Sequence, residues 1–545
     1  MKNNLRELRF WGWGYADETV AEDEVGEAVQ HVCGKLGIKL PPAAAIPKLS
    51  DIVLSPPRVA VPGPLQDICS VHPRDRVSHT YGKSFADYAR TLQRNFRSAP
   101  DVVAYPETEQ QLVDSLDWAT QARLAVVPFG AGSSVVGGIE HGDHDSACGR
   151  LTIDLRKLDQ VLEVDKTSRA ARIQAGIFGP ALDAALKPHG LTLRHFPQSY
   201  EFSTLGGWIA TRSGGHYATL YTHIDDFVEN LRTVTPSGTL ESRRLPGSGA
   251  GPSPDRLMIG SEGILGVITE AWMRLQDRPT FRAGTAVQFD DFHKAAEAVR
   301  SISQAGLFPS NCRLVDADEA AMSGAGDGSA HLVVLGFESA DHQVGPWMEC
   351  ALECARDHGG RVPEESGDEG HRSGAAGRWR NAFMRMPYYR EAIISRGIIQ
   401  DTFETSTTWD RFAEFHANVK SAAEDAIRRV TGNTGLVTCR FTHTYPDGPA
   451  PYFTFHALSD VRVMLDQWRE IKQAASEALM ANGGTITHHH AVGRDHRPWY
   501  DRQRPDLFAD ALAAAKRQLD PHGLLNPGVL IDADHLDRRA KRVEL

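Results

Sequence analysis

No apolar run in the 545-residue chain approaches the roughly 20 residues that a membrane-spanning helix needs. The start, MKNNLRELRFWGWG, also lacks the basic-then-apolar layout of a secretory signal, so a cytoplasmic protein is expected. Long basic runs are missing. With 59 Lys and Arg against 70 Asp and Glu the net charge is -11, which disfavours binding to nucleic acid and leaves any phosphate to local arginines or backbone N–H groups. Cysteine is sparse: Cys33, Cys69, Cys148, Cys312, Cys350, Cys354 and Cys439 are scattered and odd in number, which argues against a disulfide framework and for reduced thiols. Two nucleotide signatures are lacking as well. The loop VPFGAGSSVVGG has Val135 where G-x-G-x-x-G requires its last glycine, and no Gly-Lys-Ser/Thr follows a glycine loop.

Hydrophobic content of 41% and charged content of 24% are those of a globular protein, and the length supports two or three domains, each with its own core. Residues 1–95 mix an acidic helical stretch with a proline-rich passage and read as an extension wrapped on the main body. In residues 96–279, DVVAYP and LAVVPF read as strands, with Thr108 as N-cap of the helix between them; LTIDL, VLEVD, AARIQAG and LRTVTPSGTLES follow as further strands. Residues 280–500 alternate helix and strand, and 501–545 should return to the first domain. The class is α+β. Two loops stand out, at 246–255 and at the polar stretch 364–377, the second expected to be mobile.

Within VPFGAGSSVVGG, Gly130 and Gly132 let backbone N–H groups converge on an anion, and Ser133 and Ser134 add hydroxyl donors, which suits a pyrophosphate. FPQSYEFSTLGGWIATRSGG and GSEGILGVIT supply two more glycine-rich crossings, as a long extended cofactor would require. These three segments resemble the FAD-binding domain of the vanillyl-alcohol oxidase type. WGWGYAD, DTFETSTTWDR, TCRFTHTYPDG and HHHAVG together resemble the alkyldihydroxyacetonephosphate synthase family more narrowly, over about Arg9 to Pro527.

The resemblance implies a two-subdomain FAD domain, an α+β cap domain and an N-terminal extension. It implies FAD held by Pro128, Phe129, Gly130, Ala131, Gly132, Ser133 and Ser134, by Phe196, Pro197, Gln198, Ser199, Tyr200, Glu201 and Phe202, and by Ile209, Ala210, Thr211 and Arg212, with the flavin end near Glu262, Gly263, Ile264, Leu265, Gly266, Val267 and Ile268. With no histidine inside the glycine loop, the FAD is expected to be non-covalent.

In ANGGTITHHHAVGRD a β-branched extended run enters the triplet His488, His489 and His490. Alternation then puts His488 and His490 on one side and His489 on the other, so only two could chelate one ion; no carboxylate is near in sequence, and no metal is expected. These imidazoles are either satisfied polar groups at a domain junction or a proton relay, and a relay suits a side chain that titrates near neutrality. CRFTHTYPDGPAPYFTF reads as a hairpin turning at Pro446-Asp447-Gly448, with Tyr452 on its second strand either as core or in a catalytic role. The resemblance makes Tyr452 the proton-handling residue with His489 as partner, Arg390 the phosphate anchor and Arg313 a charge supporting the site. Arginine suits a phosphate because its planar fork grips two oxygens.

Ser406, Thr407 or Thr408 is expected to cap a helix starting near Trp409, and Phe383, Met384, Met386 and Tyr388 to line a lipid tunnel or form ordinary core. The activity implied is exchange of the acyl chain of acyl-dihydroxyacetone phosphate for a fatty alcohol through a flavin N5 adduct, an ether-lipid step. The alternative is an FAD-dependent 2-hydroxy acid dehydrogenase or oxidase, and a third reading is a flavoprotein without chemistry. Lipid substrates, peripheral membrane contact at the inner face and a homodimer complete the expectations.

Overall fold

The computed structural model describes residues 6–17, 22–142, 147–221, 223–362 and 375–537. Most of the polar stretch 364–377, and the side chains of Phe383 and Met384, lie outside the described residues.

Three sheets carry the structure. The first has the order β1 (Cys69–Ser70), β2 (Val102–Ala104), β4 (Gly149–Asp154), β3 (Leu124–Phe129), with β4 parallel to both β2 and β3. LAVVPF is buried almost throughout, as expected of a parallel strand covered on both faces. Its preceding helix, Glu109–Ala122, starts on Thr108, whose side chain accepts from the Gln111 N–H. The second sheet is antiparallel, in the order β5 (Val161–Asp165), β6 (Ala170–Gln174), β10 (Val267–Arg274), β8 (Val228–Thr235), β9 (Gly238–Glu241). Apart from both, β7 (Leu191–Thr192) and β11 (Gln276–Asp277) form a small antiparallel pair.

The third sheet belongs to the cap: β12 (Phe281–Phe289), β14 (His331–Ser339), β13 (Asn311–Val315), β16 (Leu436–Thr444), β17 (Pro449–Leu458), β15 (Ile398–Glu404). The β16–β17 hairpin pairs Cys439 with Phe453 and Arg440 with Tyr452. Side chains alternate along a strand, so Cys439, Phe441, Phe453 and Phe455 bury into the helix-covered core. Arg440, Thr442, Tyr452 and Thr454 therefore turn to the opposite face, where a cavity lies. A register shift between Phe441 and His443 breaks the alternation and brings His443 to the cavity beside Thr442.

The first 95 residues are more integrated than a wrapped extension. Cys69 and Ser70 add an edge strand to the first sheet, and Phe85 packs on Trp468 of the cap with ring centroids 5.7 Å apart. Near the chain start, Trp11 and Trp13 are buried, Trp13 against Phe202. The chain recrosses to the first two sheets by Val492, before the expected return at 501: the N–H groups of Val492 and Gly493 donate to Glu262, and Arg494 N–H to Val136 O. Leu525 bridges to Val126, and the Asn526 amide donates to Gly138 O at 2.8 Å and Glu262 O at 2.7 Å.

The helix expected near Trp409 begins at Phe412, with Arg411 in the cap position and no side-chain cap. Just upstream, Thr405 donates to Thr485 O at 2.6 Å and holds the segment extended. All seven cysteines are free thiols.

Candidate active site

The cavity lies between the glycine loop and the open face of the cap sheet. Gly130, Ala131, Gly132, Ser133 and Ser134 form one wall with Pro197, Gln198, Ser199 and Thr211; Arg313, Arg390, Arg440, Tyr452, His443, His489 and His490 form the other. The sequence thus placed its catalytic candidates within one cavity, except that His488 stands behind His489.

Tyr452 is 6% exposed, and the Arg440 guanidinium lies 3.8 Å from its ring centroid. Burial raises the phenol above its ordinary pKa, while Arg440 works in the opposite direction. His489 stacks on the other side with centroids 6.1 Å apart, and His490 meets the ring edge-on at 5.4 Å. Arg440 is itself neutralised by a buried ion pair with Glu319. Arg313, on the neighbouring strand, is pushed down to about 9 by burial and by the charge of Arg440.

Arg390 donates to Asp401 Oδ1 at 2.6 Å, to Lys83 O at 3.2 Å and to Gln400 O at 3.3 Å. Three of its five N–H donors are engaged, which leaves two for a ligand. Asp401 also accepts from Trp468 Nε1 at 2.8 Å and lies 3.3 Å from Lys472 Nζ, so the anchor is fixed from behind.

The triplet is not an extended strand. Residues 488–490 bend around the carboxylate of Glu404, which accepts the backbone N–H of His488 at 2.7 Å, of His489 at 3.2 Å and of His490 at 3.0 Å, and the Thr487 hydroxyl at 2.5 Å. Three consecutive N–H groups aimed at one anion cannot come from a strand, whose N–H groups alternate in direction, and this is why strict alternation fails. Burial works to raise the Glu404 carboxyl, but His489, His490 and these donors outweigh it and hold it well below the ordinary range. His488 Nδ1 and His489 Nδ1 face each other at 3.1 Å, and one ring nitrogen from each of His443, His488 and His489 lies within 4.8 Å of the others. Three ligating nitrogens so close could hold a metal; two come from the triplet, the number alternation allows, but as His488 with His489 in place of His488 with His490, and the third comes from His443. Burial drives His488 and His443 well below 6.5 and His490 to about 3, so these are neutral imidazoles.

Several of the residues expected at the cofactor also make protein contacts. Pro128 packs under Gly263, and Phe129 stacks on His79 at 4.5 Å. Phe196 stacks on Tyr200, whose hydroxyl donates to Gly179 O; Glu201 accepts from Tyr388, and Phe202 packs on Trp13 and Tyr15. The carbonyls of Ile209 and Ala210 accept from Gly260 and Glu262 N–H, and Arg212 turns outward to Asp225 at 2.8 Å. Residues 262–268 lie behind the cavity wall: Ile264, Leu265, Val267 and Ile268 are core, and Gly266 sits against Thr233. Met386 reaches the cavity, whereas Tyr388 is tied to Glu201.

Known proteins match this arrangement. The family model "FAD binding domain" matches residues 100–242, and "FAD linked oxidases, C-terminal domain" matches 278–530. An alkyldihydroxyacetonephosphate synthase of Dictyostelium discoideum is 30% identical over 484 residues, covering 84% of this chain and 77% of that protein. The chain belongs to the alkyldihydroxyacetonephosphate synthase family. The synthase of Trypanosoma brucei brucei is 27% identical and covers 97% of this chain and 93% of its own. A solved alkyldihydroxyacetonephosphate synthase shares the fold with a TM-score of 0.79 at 24% identity, over 96% of this chain and 97% of that one.

The loop of this family member fits FAD. The backbone N–H groups of Gly130 to Val135 meet no backbone acceptor among the described residues, and these residues line the cavity. A Cβ at Gly132, where φ is +75°, would stand 2.8 Å from Phe129, so glycine is required there. Arg440, Glu319, Glu404, Asp401, Lys472 and His443 were not singled out in the sequence. Each acts through a partner far along the chain.

Proposed function

We propose that the protein is an FAD-dependent alkyl transferase that exchanges the acyl chain of acyl-dihydroxyacetone phosphate for a fatty alcohol, giving an ether-lipid precursor. The observation that carries this reading is the meeting of Tyr452, Arg390 and the histidine bend in one cavity across from the pyrophosphate-type loop. Bound FAD supplies an electron-accepting ring beside the substrate carbon. Gly130 to Ser134 would hold its pyrophosphate through N–H groups and hydroxyls.

The two remaining donors of Arg390 hold the phosphate, and the Asp401–Lys472 backing keeps the guanidinium in place before substrate arrives. Tyr452 handles the proton of the carbon beside the ketone at its phenol oxygen, where Arg440 stabilises negative charge. His489 stands next to it to pass that proton on. Ester and alcohol become ether and carboxylate, so one proton leaves per turnover. Near Arg390, Met386 and Pro387 give the cavity an apolar edge suited to a chain. Such substrates partition into bilayers, which supports a cytoplasmic enzyme touching the inner membrane face; a homodimer is part of the same reading.

The test is direct. Purified protein is given acyl-dihydroxyacetone phosphate with a labelled long-chain alcohol and, separately and without oxygen, candidate 2-hydroxy acids. Label in an ether product is expected; flavin bleaching by a hydroxy acid without label transfer refutes the reading in favour of a dehydrogenase.

A further inference from the structure

Beyond the cavity wall the histidine bend continues into a chain of contacts that crosses to the FAD domain. His489 Nδ1 lies 3.1 Å from His488 Nδ1, and His488 Nε2 lies 2.9 Å from the Tyr445 hydroxyl. Tyr445 in turn meets Nε2 of His223, on the loop after Gly214 and Gly215. His223 is half-buried, and the next charged groups are Asp225, paired with the largely exposed Arg212, and Asp226, which is exposed. Four side chains thus lead from the cavity toward the surface.

We propose that Tyr445 and His223 are the outer half of a proton exit, through which a proton taken up at His489 leaves the active site. This rests on the transferase reading, which requires the net release of one proton per turnover.

Hydrogen-bond bookkeeping fixes the direction. Glu404 Oε2 lies 3.3 Å from His489 Nδ1, which favours the tautomer with the proton on Nδ1 and leaves Nε2 free to accept one. His489 Nδ1–H then donates to His488 Nδ1, His488 Nε2–H donates to the Tyr445 oxygen, and the Tyr445 O–H donates to His223 Nε2. Each member accepts on one side and donates on the other. One proton added at His489 Nε2 therefore moves each proton one place along, and one is released from His223 Nδ1. No group changes net charge, and reorientation of the rings and the hydroxyl, which moves no net proton, restores the starting arrangement.

The surroundings suit transfer. The Trp409 indole donates to Tyr445 O at 3.1 Å and pins the turn that carries the hydroxyl. His443 flanks the path, 5.1 Å from His488 and 5.4 Å from His223 between ring centroids, and its Nε2 is directed to Gly215 O. Glu404 is the anion beside His489 at the inner end of the path.

Tyr445→Phe keeps the ring and removes only the hydroxyl. FAD content and KM should stay unchanged, turnover should fall at least tenfold, and the solvent deuterium isotope effect on turnover should rise. His223→Ala should show the same loss, and added imidazole should restore much of it by standing in for the missing ring. Turnover of Tyr445→Phe within twofold of the parent, or a His223→Ala enzyme that imidazole does not rescue, overturns the proposal. So does one tightly held metal per chain in the purified protein, because a metal at His443, His488 and His489 would occupy the lone pair that receives the proton. Exchange of the substrate C–H with deuterated water separates this failure from a failure of the reading beneath it. A parent enzyme that neither exchanges nor transfers defeats the transferase reading, while a parent that does both beside a Tyr445→Phe enzyme that does both equally defeats only the exit.

Discussion

Replacing Glu404 by Gln should cost more than any other isosteric change near the site. The carboxylate is 1% exposed and accepts five contacts from four donors: Thr487 hydroxyl, His489 N–H and His490 N–H at Oε1, and His488 N–H and His489 N–H at Oε2. A glutamine must place its amide nitrogen on one side or the other, so at least two of these donors face another donor. Bonds to a buried charge are worth about 1.5–3 kcal/mol each, and losing two, with a clash added, gives a destabilisation of about 3–5 kcal/mol. Urea denaturation followed by far-UV circular dichroism reads this directly, and Thr487→Val, which loses a single hydroxyl bond, should cost only about 1 kcal/mol. Glu404 titrates below its unfolded value, so its contribution is complete above about pH 5 and is lost as pH falls through the depressed folded value. The gap between parent and variant should therefore be flat at neutral pH and close in acid. Turnover should fall by about 100-fold or more, because the bend that presents His489 is released. A Glu404→Gln protein within about 1 kcal/mol of the parent and turning over at half its rate or better refutes the claim that this carboxylate shapes the triplet.

Tyr452→Phe should retain FAD, as seen in its absorbance, and lose turnover by about 100-fold or more; unchanged activity would leave the tyrosine a core residue. Gly132→Ala places a Cβ against Phe129 in a left-handed conformation, so the purified protein should be pale while its circular dichroism is kept, and a fully yellow variant would show that the loop does not hold the cofactor. Burial pushes His195, His416 and His490 to about 3 and His496 to about 4, below an unfolded value of about 6.5, so their neutral forms contribute stability that is whole above that value and lost as pH falls toward the folded ones. Each contributes a slope of up to about 1.4 kcal/mol per pH unit, and urea midpoints that do not fall between pH 6.5 and 5 would contradict the buried neutral imidazoles.

Much of this was legible in the sequence because it is local. LAVVPF running into glycine, Thr108 before its helix and Pro446-Asp447-Gly448 between two strands are signals whose causes lie within a few residues, and the structure has each in place. The histidine triplet was legible as chemistry but not as shape: its backbone is organised by a carboxylate more than 80 residues upstream. Arg440 reads as one more strand residue until the hairpin register sets it across from Tyr452. Strand parity assigns His443 to the core, and a single irregularity between Phe441 and His443 reverses that. Residues 209–212 and 262–268 show the converse limit, since a motif says that a segment matters without saying whether its side chains meet the ligand or brace the wall.

The Asn526 amide that ties Gly138 to Glu262 has a consequence for biogenesis. On the ribosome, the glycine loop emerges 388 residues ahead of its closing clasp. Domains tend to acquire structure as they emerge, but this one must wait for a tail that crosses the cap first. Nascent chains stopped anywhere short of that clasp should be unable to retain flavin, so capture of the cofactor waits on the clasp.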